Sequence, residues 1–263
     1  MRDLNLVEIF WSFQGEGVHV GVPSVFVRFG ECDLRCAWCD SPQTWREASR
    51  CRIEVAPGSG RFREHANPTP AEQAAEAVRR LQGEAGGLVS ITGGEPLLQP
   101  DGVVALVEAL RRVSGPDYRI LLETHGLAAS ALERVAPSLD VVSMDWKLAS
   151  TVRRASDGRR GAVRAFHDEH ERFLACAASL PHADVYVKVV VTPETCEEEV
   201  ETVCNRIAAR APETPLILQP VTPAGTIGTS PSGLEMLQWL RFCQQRLADV
   251  RLIPQVHRGL DVL

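Results

Sequence analysis

Short β-rich runs alternate with helical patterns along this 263-residue chain, and the alternation limits the folds that it can form. Leu88–Ile91 and Asp184–Val191 are apolar and strand-like, whereas Val103–Leu110 places its apolar residues on one helical face. Such alternation is typical of a mainly parallel sheet covered by helices, with the active site at the carboxyl ends of the strands. We predict an α/β fold with a single domain over residues 1–263, because single α/β barrels commonly reach this length.

Two segments interrupt the alternation. Residues 45–67 are rich in Arg, Glu, Gly and Pro, and we interpret them as an insertion with little regular structure. Residues 153–164 carry five arginines and two glycines, which favours a solvated, mobile loop. A lid over an anionic substrate, or a patch that docks a partner, is the alternative for this second segment.

Composition narrows the classes of function. The net charge of −6 and the pI near 5.7 argue against a nucleic-acid partner. Because no apolar run could cross a bilayer and the N-terminus lacks the apolar core of a signal peptide, we expect a cytoplasmic protein with no membrane partner. Thiols stay reduced in that compartment, so the eight cysteines do not indicate a disulfide framework.

Three of those cysteines lie close together in a loop that follows the predicted strand Ser24–Gly30. Cys32, Cys36 and Cys39 form a C-x3-C-x2-C pattern. Cysteine thiolates hold iron–sulfur clusters, normally four to a cluster, so three could bind three irons of a cubane and leave the fourth iron open. The alternative is a structural zinc ion, which requires a fourth ligand from elsewhere in the chain.

A second motif, Thr92-Gly93-Gly94-Glu95-Pro96, directly follows the predicted strand Leu88–Ile91. Adjacent glycines let a backbone approach a ligand closely and offer unhindered N–H groups. The glutamate accepts hydrogen bonds at neutral pH and suits a ligand ammonium group. The motif therefore predicts a ligand site beside the cysteine loop.

The cysteine pattern and the GGEP turn together resemble the signature of radical S-adenosylmethionine (SAM) enzymes. The resemblance implies a partial (β/α)6 barrel with a cluster-binding loop after the first barrel strand, a [4Fe–4S] cluster on the three cysteines, and SAM as a cofactor. It implies SAM contacts at the positions that match the family's motifs. These positions are Trp38, Gly94, Glu95, Glu123, Ser143, Lys147 and Gln219. For Gln219, a buried core side chain is an equally good interpretation.

The stretch Ser12-Phe13-Gln14-Gly15-Glu16-Gly17, together with Asp40-Ser41 after the cysteines, resembles the 7-carboxy-7-deazaguanine synthases more closely. This likeness extends over nearly the whole chain from residue 8, apart from the two irregular segments. It implies that a radical converts 6-carboxy-5,6,7,8-tetrahydropterin to 7-carboxy-7-deazaguanine, with ring contraction and loss of ammonia, in the biosynthesis of queuosine and related 7-deazapurines.

The same resemblance implies further site residues and partners. A hydroxyl oxygen suits Mg²⁺, and Ser41 stands where the family usually has a threonine ligand, with Asp40 as an alternative or supporting ligand. A homodimer and an electron donor such as flavodoxin or ferredoxin are also implied. The substrate contacts that it implies are Phe13, Gln14, Gly15, Arg28, Thr92 and the terminal carboxylate of Leu263.

Two other functions remain open. A glycyl-radical activating enzyme would share the cysteine motif, and the segment Met144-Asp145-Trp146-Lys147 and the acidic pI are compatible with it. A non-enzymatic zinc or iron–sulfur binding module is the second alternative. Partner-dependent turnover would identify the first, and cleavage of SAM by reduced protein would exclude the second.

Overall fold

The structure is a computed structural model that describes residues 3–83, 86–114, 118–158 and 164–262. The strands and helices follow the alternation that the sequence predicts. The strands are β1 (Asp3–Leu4), β2 (Leu6–Phe13), β3 (Pro23–Phe29), β4 (Leu34–Cys36), β5 (Arg50–Glu54), β6 (Phe62–Ala66), β7 (Thr69–Pro70), β8 (Gly87–Gly93), β9 (Tyr118–Thr124), β10 (Val141–Asp145), β11 (Val152–Arg154), β12 (Asp184–Val191), β13 (Leu216–Pro220) and β14 (Val250–Leu252). The helices are α1 (Ala71–Gln82), α2 (Pro100–Ser114), α3 (Ala129–Val135), α4 (His167–Ala178), α5 (Glu197–Arg210), α6 (Gly233–Gln244) and α7 (Val256–Gly259).

Within the described ranges, ten strands form one sheet in the order β14-β13-β12-β10-β9-β8-β3-β2-β5-β6. The strands from β3 to β14 in this order are all parallel to their neighbours, and β2 is antiparallel to β3. Six β/α units, which begin with β3, β8, β9, β10, β12 and β13, carry α1 to α6 in turn. The predicted α/β fold with six β/α units is therefore confirmed, and the cysteine loop follows the first of these strands.

Buried side chains lie on both faces of the parallel strands. On β9, Ile120 and Leu122 belong to the large cluster that the helices cover, whereas Leu121 belongs to a smaller cluster with Tyr186 and Ile217 from other strands. Because successive side chains of a strand point to opposite faces, the smaller cluster marks the concave inner face of the curved sheet. This apolar layer forms the floor beneath the strand ends.

The segment 45–67 departs from its prediction, since β5 and β6 form a hairpin at the edge of the main sheet. Along β5, the buried Cys51 and Ile53 alternate with the exposed Arg50 and the partly exposed Arg52. The charged residues that suggested an irregular insertion form the outer face of a strand whose other face is buried. The interpretation as an insertion with little regular structure is therefore wrong for this hairpin.

The Arg-rich segment also differs from its prediction in the part that the structure describes. Val152–Arg154 pairs with Leu34–Cys36 as an antiparallel ribbon, and a short 3-10 helix follows at Ala155–Asp157. Arg154 donates a hydrogen bond to Asp33 at 2.9 Å. A mobile loop is wrong for residues 152–157, because backbone pairing and this ion pair hold them, whereas residues 159–163 lie outside the described residues. In the described part of the chain, no helix is long and apolar enough to cross a membrane.

We expect Leu122→Ala to lower the free energy of unfolding by about 3 kcal/mol, because it leaves a cavity in the layer between sheet and helices. For a chain of this size, the melting temperature should fall by roughly 6–12 °C. Thermal unfolding of the apoprotein measures the effect. The matched control is Leu237→Ala on the exposed face of α6, where Leu237 is 57% exposed, and an equal loss in both variants would contradict the assignment of the core.

Candidate active site

A cavity of about 320 Å³ opens at the carboxyl ends of the parallel strands. Loops that follow β3, β8, β9, β10 and β13 line it, together with the loop after β2 and the C-terminal segment. Among the residues predicted as site residues, all but Glu95, Ser143 and Leu263 line this cavity, and Leu263 lies outside the described residues. Those that line it are Phe13, Gln14, Gly15, Arg28, Cys32, Cys36, Trp38, Cys39, Asp40, Ser41, Thr92, Gly94, Glu123, Lys147 and Gln219.

Backbone hydrogen bonds from two other loops hold the cysteine loop in the cavity wall. The Ala37 N–H donates to the Thr151 carbonyl at 2.8 Å, and the Ala37 carbonyl accepts from the Thr226 N–H at 2.7 Å. Gly225, at φ 59°, permits the second contact, because a Cβ there would overlap the Ala37 carbonyl. The loop's position therefore depends on segments more than a hundred residues later in the chain.

The GGEP turn packs directly on the start of the cysteine loop. The Gly94 N–H donates to the Phe29 carbonyl at 3.0 Å, and the Glu95 N–H donates to the Glu31 carbonyl at 2.8 Å. A Cβ on Gly94 would overlap the Glu31 carbonyl oxygen. The sequence suggested that these glycines free N–H groups for a ligand. The structure shows that the Gly94 N–H is used inside the protein, and that the glycine allows two backbones to meet.

Glu95, predicted to bind the SAM ammonium group, is fully buried behind this turn. Its carboxylate accepts hydrogen bonds from the Leu97 N–H at 3.0 Å, the Thr124 hydroxyl at 2.8 Å and the His125 N–H at 2.8 Å. These hydrogen bonds of Glu95 therefore connect the GGEP turn to the end of β9. Glu95 does not line the cavity in this structure, and its contact with the SAM ammonium group stays a prediction.

His125, which the sequence did not separate from an ordinary turn residue, connects the turn to the cysteine loop. Its Nε2 lies 2.8 Å from Asp33 Oδ1, and Asp33 Oδ2 accepts from Arg154. Although burial opposes the shift, the hydrogen bond with His125 lowers the pKa of Asp33. His125 and Arg154, both far from it in sequence, thus fix Asp33, the residue next to Cys32.

The three cysteine side chains match the donor set of an iron–sulfur cluster. In the described ranges, no group of three or more His, Cys, Asp or Glu side chains is arranged to hold one metal ion, which a structural zinc site would need. A cubane distributes its three thiolates over three irons, so its ligands need not converge on one point. Burial raises the pKa of Cys32 to about 12 and that of Cys36 to about 11, so both are thiols until a metal replaces the proton.

One wall of the cavity is apolar and contains an unpartnered amide. Trp38 packs with Val190, Val221 and Ile227. Gln219, which is 3% exposed, also lines the cavity, and its Oε1 has no hydrogen-bond partner among the described residues. An aromatic face beside a buried acceptor can receive a flat heterocycle with an exocyclic amine. These groups therefore fit the adenine of SAM.

An array of alternating charges crosses the cavity floor. Lys147 pairs with Asp145 at 2.6 Å, Lys188 pairs with Asp145 at 3.1 Å, and Lys188 also pairs with Glu16. Burial opposes protonation of both lysines, yet the neighbouring carboxylates raise their pKa values. The Lys147 ammonium lies 4.5 Å from the Trp38 ring centroid. Each charge in the array is thus balanced inside the protein.

Lys188 was not among the predicted site residues, although a signal for it was present in the sequence. A lysine within the apolar strand Asp184–Val191 must be buried among strands, so it requires a charged partner or a ligand. Ser143, which was predicted to contact SAM, is the opposite case. It is 2% exposed on β10, and its hydroxyl hydrogen-bonds to Tyr186 below the cavity. Ser143 does not line the cavity in this structure, and its contact with SAM stays a prediction.

Three polar side chains that line the cavity, those of Gln14, Thr92 and Glu123, form a second group. Glu123 accepts hydrogen bonds from the Gln14 amide at 2.9 Å and from the Thr92 hydroxyl at 2.6 Å. Burial is the largest influence on Glu123 and raises its pKa, although the Lys188 ammonium opposes the shift. Glu123 was predicted to contact SAM. The structure instead groups it with Gln14 and Thr92, which were predicted to contact the substrate.

The C-terminal segment closes one side of the cavity. The Val256 N–H donates to the Gly15 carbonyl at 2.9 Å, Arg258 donates to Asp40 at 2.8 Å, and Val262 lines the cavity. The Ser41 hydroxyl donates to the other oxygen of Asp40 at 3.2 Å. Burial acts against ionisation of Asp40, but the hydrogen bond from Arg258 lowers its pKa. Asp40 is therefore a carboxylate held between the cysteine loop and the end of the chain.

Comparison with known proteins identifies a family that includes this chain. Residues 27–207 match the radical SAM superfamily. The chain is 37% identical to the 7-carboxy-7-deazaguanine synthase of Geobacter sulfurreducens over 262 residues, which cover 98% of this chain and 97% of that protein. It is also 37% identical to the synthase of the same name from Methanopyrus kandleri, with 99% and 94% covered.

Solved structures support the fold. The crystal structure of QueE from Escherichia coli superposes with a TM-score of 0.59 at 20% identity and covers 97% of this chain and 95% of its own. A radical SAM methyltransferase from Sphaerobacter thermophilus gives a TM-score of 0.55 at 17% identity, with 88% of this chain and 66% of that chain covered. At these identities the likeness concerns the fold alone. The partial barrel that the sequence predicted is consistent with both.

We expect Gly94→Ala to impair cluster incorporation, because the added methyl group overlaps the Glu31 carbonyl and pushes the cysteine loop away from the GGEP turn. Forcing atoms into a packed site typically costs about 1–3 kcal/mol, so the apoprotein should also melt several degrees lower. Iron and sulfide content after anaerobic reconstitution measures the effect. Gly228→Ala is the matched control, since a Cβ there meets open space. Equal iron loading in both variants would show that this contact is unimportant.

Proposed function

Because this chain belongs to the 7-carboxy-7-deazaguanine synthases of the radical SAM superfamily, we propose that it converts 6-carboxy-5,6,7,8-tetrahydropterin to 7-carboxy-7-deazaguanine with loss of ammonia. The product leads to queuosine. The observation that carries the proposal is the meeting, in one cavity, of the three cysteines with the loop Phe13–Gly15 and Arg28. The cysteines alone are typical of the whole superfamily, whereas the loop Phe13–Gly15 and Arg28 would contact the substrate.

Cys32, Cys36 and Cys39 would hold the cluster, and the apolar wall around Trp38 and Gln219 would hold SAM. When bound, the cluster supplies the electron that cleaves SAM so that hydrogen can be abstracted from the substrate. Gln219 accepts a hydrogen bond from the adenine amine, and Trp38 packs against the ring. Lys147 supplies a positive charge for the carboxylate of SAM while Asp145 holds it in place. Gly94 forms part of the cavity wall at the GGEP turn.

The pterin lies on the other side of the cavity. Its ring edge offers N–H donors, and the Glu123 carboxylate, which Gln14 and Thr92 orient, accepts hydrogen bonds from them. The Phe13–Gly15 segment covers the same edge, and Arg28 pairs with the substrate carboxylate. The preformed array around Lys188 keeps its charges fixed during the reaction, so that little reorganisation is needed.

Further parts of the proposal come from the resemblance. Ser41 and Asp40 line the cavity and would hold Mg²⁺, which would supply a template and neutralise charge on the substrate. The Asp40 oxygen that accepts from the Ser41 hydroxyl keeps a second lone pair that could bind a metal ion. The Leu263 carboxylate accepts from the substrate, an idea supported by the position of Val262. The protein is cytoplasmic, forms a homodimer and takes electrons from a flavodoxin or ferredoxin.

The two alternative functions are less well supported. Relatives that carry the synthase name align over nearly the full length of both chains, which a shared radical SAM core alone would not produce. A glycyl-radical activating enzyme is therefore not favoured. A zinc module is not favoured either, because the described residues offer no converging set of ligands.

The direct test incubates anaerobically reconstituted protein with SAM, Mg²⁺, a one-electron reductant and the carboxylated tetrahydropterin. We expect 7-carboxy-7-deazaguanine and ammonia in equal amounts, measured by mass spectrometry and an ammonia assay. Cys36→Ala should abolish both products because it removes a cluster ligand, whereas Cys196→Ala removes an exposed thiol and should leave them unchanged. Cleavage of SAM without either product would refute the substrate assignment.

We expect Gln219→Leu to weaken SAM binding by about tenfold, since the amide oxygen lacks a partner until the ligand arrives. The melting temperature of the apoprotein should stay the same or rise, because the substitution removes a buried unsatisfied acceptor. Equilibrium dialysis with SAM and thermal unfolding provide the two measurements. Gln238→Leu on the exposed face of α6 is the control. Unchanged SAM affinity together with a lower melting temperature would make Gln219 a structural core residue.

A further inference from the structure

A row of alternating charges runs from the cavity to the edge of the sheet, one residue from each strand. Arg28 on β3 lies opposite Glu8 on β2, Glu8 lies opposite Arg52 on β5, and Arg52 lies opposite Glu64 on β6. Thr92 on β8 lies opposite Arg28 at the cavity end of the row. Cross-strand partners share a face of the sheet, so these side chains are direct neighbours. The row links the cavity to a hairpin that the sequence had suggested was irregular.

Glu8 is the buried centre of this row. It is 3% exposed, and its two oxygens are divided between two arginines. Oε1 accepts from Arg28 Nε at 2.9 Å, and Oε2 pairs with Arg52. A buried carboxylate is costly unless all of it is compensated, so each arginine satisfies one half of the group.

Arg28 uses only its inner nitrogen in this arrangement. Its terminal nitrogens have no hydrogen-bond partner among the described residues, and the side chain lines the cavity at 20% exposure. The guanidinium lies 5.6 Å from the Phe10 ring centroid, and Phe10 stacks on Phe26. A planar cation that is supported from behind and open in front is suited to bidentate pairing with a carboxylate.

Arg52 is also held in place, although it lies outside the cavity lining. Its guanidinium lies 4.8 Å from the Phe62 ring centroid on β6. If Arg52 were absent, both oxygens of Glu8 would be available to Arg28, and a bidentate Glu8–Arg28 pair would occupy a terminal nitrogen. A substrate carboxylate would then have to compete with a buried glutamate for the same guanidinium.

We propose that Arg52 is a positioning residue that engages one oxygen of Glu8 and so keeps the terminal nitrogens of Arg28 open to the carboxylate of the substrate. The inference rests on the proposed function and deepens it, since it assigns part of the preference for a carboxylated pterin to the β5–β6 hairpin. Arg52 itself does not touch the substrate.

The test compares Arg52→Ala with wild-type holoenzyme by initial rates and competitive inhibition. The KM for 6-carboxytetrahydropterin should rise about tenfold while kcat changes less than about twofold, because ground-state binding of the carboxylate is what the change weakens. The inhibition constant of tetrahydropterin without the carboxylate should not change. Arg50→Ala is the matched control, since Arg50 precedes Arg52 on the same face of β5 and pairs only at the surface with Glu64. Its KM should equal that of wild type.

Arg52→Lys separates positioning from folding. Lysine keeps the charge opposite Glu8, so this variant should fold and show a smaller rise in KM if Arg52→Ala proves unstable. A KM that stays at the wild-type value in every soluble Arg52 variant would overturn the inference. So would an equal rise in the KM and in the inhibition constant of the analogue that lacks the carboxylate. Wild-type protein that does not turn over the carboxylated pterin would instead contradict the proposed function, and the inference with it.

Discussion

The backbone of the cysteine loop has few partners within the loop itself, and the rest of the site depends on how neighbouring loops hold it. Ala37 is bonded on one side to Thr151 and on the other to Thr226, and the Gly94 turn presses against the loop's beginning. Parallel strands make this possible, because their carboxyl ends all deliver loops to the same edge of the sheet. The three thiols are therefore positioned by the fold as a whole, which is the condition for presenting them to one cluster.

Buried charge is the second feature that organises the cavity. Lys147, Asp145, Lys188 and Glu16 form one alternating array across the floor, and Arg28, Glu8 and Arg52 form another along the sheet. Removing such groups from water costs free energy that only close, well-oriented partners offset. The arrays do not extend into the apolar layer beneath them, where Leu121, Tyr186 and Ile217 pack. Charged side chains and the apolar side chains beneath them thus occupy separate layers of the partial barrel.

Much of this architecture could be predicted from sequence, since period-two and helical patterns located the core strands and helices, and motif spacing located the cysteines. The departures from prediction have different physical causes. The hairpin β5–β6 was hidden because one face is charged, and the buried alternation of Cys51 and Ile53 was too short to dominate. Glu95 and Ser143 match family motifs, but a sequence does not show which buried neighbours such side chains contact, and neither lines the cavity here. Lys188 was identifiable in principle, because an apolar strand does not bury a lysine without a reason.

The contacts of the C-terminal segment affect how the polypeptide folds during its synthesis. Gln255 bonds to Glu16 at 2.7 Å, and Arg258 reaches Asp40, so groups separated by more than two hundred residues complete the same wall. A chain that is still emerging from the ribosome can assemble its early strands while this wall is missing. A nascent or truncated chain without residues 255–258 would therefore lack the contacts to Glu16 and Asp40 that complete this wall.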